Sequence, residues 1–243
     1  MRTPPGTAPG PSPRPAISRT RRVLARAHRH RLRGWHPRGR PGTGDDDTLM
    51  GRIGERLAHG VRGWMAIGAT LLFVVFTATV LPDQAEAGAF YTVRYPAPDT
   101  SLWYWPDDLY AAAEAWGPDG RAAYVYARVT FDVIWPPVYG AFLVATLAWV
   151  WARGAAPGSR WRGVALLPVV VVALDYAENI CAATVMARYP ARTPVLAELA
   201  PIFTAGKWLT LSVSFLLLVV GVVVVLTAWW RARSLRPPRS QAG

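Results

Sequence analysis

The 243-residue chain reads as an all-α protein, a polytopic transmembrane four-helix bundle with a short external interfacial helix. Three observations predict that fold. Four stretches, residues 64–81, 127–151, 163–188 and 203–230, are apolar over a length close to the roughly 20 residues needed to cross a hydrocarbon core of about 30 Å. The last contains Leu216 to Leu226, apolar on every face, where a helix on a soluble surface would keep a polar stripe. Arginine, finally, is concentrated on alternate connections. Residues 1–62 carry 14 Arg, the 152–162 loop carries Arg153, Arg160 and Arg162 with no acid, and four more follow Trp230, whereas seven acids fall between Asp83 and Asp119. Short loops rich in arginine stay in the cytoplasm, so both termini are expected there, in a multi-pass protein of the cytoplasmic (inner) membrane. The net charge of +12 then follows from topology, with anionic inner-leaflet lipid as the expected partner of the basic tails and no nucleic acid.

Residues 1–48, dense in Pro, Gly and Arg, have little to bury and are expected to form a disordered cytoplasmic tail. Met50 is a second candidate start. The first span, with its basic flank and the following Ala85-Glu86-Ala87, imitates a secretory signal; its apolar run exceeds the usual length of about 7–15 residues, so a retained helix is expected rather than a cleaved one. The external segment 82–126 is too long for a simple connection and too short for a separate domain. Within it, Pro106-Asp107-Asp108 opens a short helix whose acidic first turn suits the macrodipole, and Gly117 can close it. Its aromatics, with Trp103, Tyr104 and Trp105, fit an interfacial belt. Asp119 is the expected cap of the next helix, starting near Arg121. A second basic cytoplasmic tail is expected over 231–243.

Some chemistry is disfavoured. Cys181 is the single cysteine, so no internal disulfide or Cys-x-x-Cys redox pair can form. All four histidines precede the first span, and no paired imidazoles are available for an intramembrane haem. Neither a cofactor nor a metal is expected.

The candidate polar pocket consists of Asp132, Asp175, Glu178, Asn179 and Lys207, the only lysine. Charges at membrane depth are costly and are usually kept for pairing, a proton path or a ligand. With the second span running inward and the third outward, all of them fall in the outer half of the bilayer. Asp175, Glu178 and Asn179 share one helical face at i, i+3 and i+4. Arg128 and Asp132, spaced i, i+4 on the second span, can pair, and Pro136-Pro137 is expected to kink that helix and expose carbonyls. On the fourth span Thr204, Lys207, Leu211 and Ser214 lie along one side. Arg128, Tyr139 and Ser214 are the supporting candidates. Three carboxylates against one ammonium leave an excess of negative charge, so either Arg128 or Arg188 reaches in or a carboxyl is protonated. The plainer readings are that Lys207 snorkels to the surface and that the charges only clip helices together.

Gly120-Arg121 with Tyr124, Asp132 with Pro136 and Tyr139, Leu174-Asp175 with Glu178-Asn179, and Lys207-Trp208 together resemble a family of uncharacterised small bacterial integral membrane proteins with four helices. The resemblance covers residues 64–230 and implies the four-span architecture without an activity. Three functions stay open: a pocket that binds a small polar or lipid ligand or exchanges a proton or cation; an intramembrane enzyme using Asp175 or Glu178 as acid or base on a lipid held by Lys207; and a structural or assembly partner of another membrane protein. A transport role would call for a homodimer.

Overall fold

In lipid a backbone must satisfy its own hydrogen bonds, which long apolar runs achieve as helices. Helix is the only regular element among the described residues, which a computed structural model places from Leu49 to Ser234. The expected disordered tail 1–48 and the end of the second tail lie outside them. Helices α1 (Leu49–Gly60) and α2 (Gly63–Thr92) lead to a 3-10 turn, Pro98–Thr100. Then come α3 (Pro106–Val129) and α4 (Phe131–Gly154), a 3-10 helix (Arg160–Leu166) that runs into α5 (Leu167–Arg188), and α6 (Pro194–Ser234). Among the described residues four helical units are long and apolar enough to cross a membrane: α2, α4, Arg160–Arg188 and α6.

The helices overrun the expected spans. α2 continues past Leu81 to Thr92, because Pro82 removes one backbone donor without stopping the helix and the strong helix formers Ala85, Glu86, Ala87 and Ala89 carry it on. The Ala85-Glu86-Ala87 stretch is therefore helical, and the irregular connection shrinks to residues 93–105. α6 begins at Pro194, nine residues before the expected span, and at 41 residues is about 60 Å long. α1 has no counterpart among the expected elements. It is a short amphipathic helix whose Leu57, with Val61 just beyond, packs on Trp151 and Ala165 while Arg52 and Arg56 stay exposed.

α3 contains the expected short helix and the start of the next, separated at Gly117, whose φ of 68° and ψ of −176° belong to a region open essentially to glycine alone. The second half restarts at Pro118 rather than near Arg121, proline being well suited to a first helical turn. Asp119 is consequently inside the helix instead of capping it. Only part of the aromatic set is free to face an interface: Trp103 and Trp105 are exposed, but Tyr104, Tyr110 and Trp116 are buried.

α4, α5 and α6 pack on one another, α2 lies against α4, and α3 packs mainly against α5. At Gly140 a Cβ would stand 2.6 Å from Val172 Cγ2, so α4 and α5 approach as closely there as glycine permits. Three apolar clusters lie along the bundle. Trp116, Tyr124, Leu109, Val185, Met186 and Ala200 belong to the one built around α3; Tyr139, Phe142, Leu143 and Val171 form the second; and Leu147, Trp151 and Ala165 form the third, at the α1 end. The charged residues sit between the first and second clusters.

Gly117→Ala is expected to destabilise the protein by about 1–3 kcal/mol, because the new methyl forbids the backbone conformation that joins the two halves of α3. Thermal unfolding in detergent, compared with an alanine substitution at the exposed Glu114, measures it.

Candidate functional site

Two cations largely shielded from solvent, Arg128 and Lys207, are each held by two carboxylates. Lys207 on α6 bonds Glu178 and lies 3.4 Å from Asp175 Oδ1, both on α5. Arg128, at the end of α3, bonds Asp132 on α4 and Asp99 in the 3-10 turn. Of the five candidate pocket residues, Asp175, Glu178, Asn179 and Lys207 contact one another, whereas Asp132 pairs with Arg128. Asp175 Oδ2 accepts from the Tyr139 hydroxyl at 2.7 Å, and its other oxygen from Asn179 Nδ2 at 3.4 Å. Three helices therefore converge on Asp175. Lys207 does not snorkel, its side chain being only 12% exposed.

The sequence left open which arginine reaches in. It is Arg128; Arg188 is exposed on the far turn of α5. The Arg128–Asp132 pair forms at the expected spacing, but not on one continuous helix. Thr130, with φ −117° and ψ −75°, separates α3 from α4, so the ion pair bridges a joint in the chain. Ser214 stays outside the cluster: its hydroxyl returns to Thr210 O at 2.8 Å, and it stands about 10 Å along α6 from Lys207.

Pro136 and Pro137 lie within α4 and bring no N–H to it. Pro137 thereby leaves the Val133 carbonyl without its usual helical donor, and the Tyr176 hydroxyl takes that place at 2.8 Å. The expected exposed carbonyl is thus present, and a neighbouring helix uses it.

Asp99, Tyr124 and Tyr104 were not among the sequence candidates. Asp99 follows Pro98 in a loop where Pro-Asp reads as a solvated turn, yet it is 8% exposed. The indole of Trp208, next to Lys207, donates to the Asp99 carbonyl at 3.3 Å and so ties the two charged triads together. Thr204 stands 3.4 Å from the Tyr104 hydroxyl, which burial raises well above its ordinary pKa, so that this phenol stays neutral beside the charges. A row of rings, Tyr91, Trp116 and Tyr124, with centroids 4.8 and 5.1 Å apart, ends on the Arg128 guanidinium 4.2 Å above the Tyr124 ring.

The charged groups pack against each other rather than around an opening. Glu178 is fully buried, and Asp132 and Asp175 are nearly so. Clefts of about 530, 490 and 400 Å³ on the surface of the described residues are lined by other side chains. Both Glu178 Oε1 and Asp99 Oδ1 are buried without a hydrogen-bond partner among the described residues. With every group ionised, each triad carries one carboxylate more than it can neutralise, a state that burial penalises by several kcal/mol. Such a pair of sites is suited to holding and releasing a proton.

Neither a protein-family model, a curated protein nor a solved structure matches the chain.

Lys207→Met is expected to cost about 3–5 kcal/mol because it leaves two buried carboxylates without a cation. Glu178→Gln, which keeps the Lys207–Asp175 pair, should cost clearly less, and Tyr139→Phe about 1.5–3 kcal/mol for one hydrogen bond to a charged group. Denaturation of the three variants in the same detergent tests that order.

Proposed function

We propose that this chain is a multi-pass protein of a bacterial cytoplasmic membrane, with both termini in the cytoplasm, whose two linked triads take up and release protons near the outer face. One observation carries the reading: two carboxylates stand on each cation in a closed site. A buried charge left uncompensated is relieved most cheaply by protonation. The burial of Asp175 and Glu178 among the described residues favours a proton over a larger ligand, since a proton needs only a hydrogen-bonded route. The arginine distribution supports the orientation, and the resemblance to the bacterial four-helix family supports the architecture.

In this reading Asp175 is the branching point. It accepts from Tyr139 and Asn179 and faces Lys207, so three contacts meet on one carboxylate. Glu178 is the group most fully withdrawn from solvent, and its free oxygen is the place where a proton removes the largest desolvation cost. A second reading, that the charges only clip α5 to α6, is favoured by one observation, the two bonds that Lys207 makes across that interface.

Infrared spectroscopy of the purified protein separates the two. Proton exchange predicts a carbonyl-stretch band of a protonated carboxyl that titrates between mildly acidic and alkaline pH and is lost or weakened in Glu178→Gln or Asp175→Asn. If only ionised carboxylates are seen over that range, or if the band is identical in both variants, the triads are clips and the proton reading is wrong.

A further inference from the structure

At the end of the bundle away from the triads, a cleft of about 400 Å³ opens between α2, α4 and α6. Its walls include Ala66, Thr70, Leu71, Thr146 and Leu218, and it opens sideways past Ile67 and Leu71, which are 63% and 60% exposed. The two threonines present no spare donor, since each hydroxyl donates to a carbonyl of its own helix at 2.7 Å. Within a membrane an apolar slot of this kind faces acyl chains.

One end of the slot is different in kind. Gly63, where α2 begins, meets the indole edge of Trp149: a Cβ on Gly63 would stand 2.9 Å from Trp149 Nε1. That indole nitrogen is buried without a hydrogen-bond partner among the described residues. The Arg153 guanidinium lies 4.0 Å over the same ring, and Arg62, the residue preceding α2, makes no side-chain cap. The 30-residue helix α2 starts at this Gly63, so the positive end of its dipole lies at the same end of the slot. Residues 49–62, 152–162 and 229–234 contain eight arginines and a single acid, Glu55, which is already paired with Arg162. The mouth of an apolar slot thus carries unneutralised positive charge.

We propose that this cleft is a binding site for one acidic phospholipid, with an acyl chain along Ala66, Thr70 and Leu218 and the phosphate between Arg62 and Arg153. The chemistry of the two ends matches the two halves of such a molecule. A second copy of this chain fits less well. Two copies with the same orientation in one membrane would bring the same arginines to the same level, where they repel. The inference rests on the four membrane-crossing helices and not on proton exchange at the triads.

The test uses the full chain in detergent with phosphatidylglycerol or phosphatidylcholine of identical acyl chains, bound lipid being counted by native mass spectrometry. Phosphatidylglycerol is expected to bind the intact protein about tenfold or more tightly than phosphatidylcholine, as two arginines near a phosphate would give. The double variant Arg62→Gln, Arg153→Gln should lose that preference. Ile67→Trp, at an exposed position beside the slot, should weaken binding of both lipids while leaving every charge in place. Equal binding of the two lipids by the intact protein overturns the proposal, as does unchanged preference in the double variant, which would assign the lipid to the basic tails. Unchanged binding by Ile67→Trp also overturns it. So does efficient disulfide cross-linking of Leu71→Cys copies in lipid-free detergent, which would give the cleft to a second chain.

Discussion

Burying a guanidinium and an ammonium between helices forces the surrounding elements to come to them. Neither charge is stable between helices without carboxylates at contact distance; α5 supplies both for Lys207, whereas those on Arg128 come from two separate elements. Lys207 draws α6 onto α5. Arg128 draws the Pro98–Thr100 turn onto the joint between α3 and α4. The bond from Trp208 to the Asp99 backbone makes these two arrangements one, since the residue beside the lysine holds the carboxylate partner of the arginine.

The aromatic packing around α3 makes sense as the enclosure of those charges. Tyr91, Trp116 and Tyr124 would be ordinary core residues in a water-soluble bundle; in this chain their stack ends on Arg128 and covers it from the side that α3 faces. Low polarity around an ion pair strengthens the attraction within it and raises the cost of any imbalance. The same rings that stabilise the pairs therefore make an extra negative charge harder to carry.

What could be read in the sequence depended on how local each contact is. Asp175, Glu178 and Asn179 fall on one face because helical spacing puts them there, and Arg128 and Asp132 are four apart whether or not a helix joins them. Those relations survive even where the element boundaries move, as they do at Thr130. Asp99 was not legible, because its partner lies 29 residues away and its own neighbours, Pro98 and Thr100, describe a surface turn. Likewise Tyr176 looked like one more aromatic residue of a span. Its bond to the Val133 carbonyl follows from Pro137 on another helix, a connection that no window along the chain contains. Ser214 shows the reverse error: sharing a helix face with Lys207 places a residue along the same stripe without placing it at the same height.

The length of α6 has a mechanical consequence. From Lys207 to the tryptophan pair Trp229 and Trp230 is about 35 Å of continuous helix, with the ammonium near one end and interface-seeking rings at the other. Pivoting this rod by about 10° around its tryptophan end would sweep Lys207 through about 6 Å, well beyond the reach of a hydrogen bond. A small tilt at one end of such a rod is therefore a large displacement at the other, and the lysine sits where the lever is long.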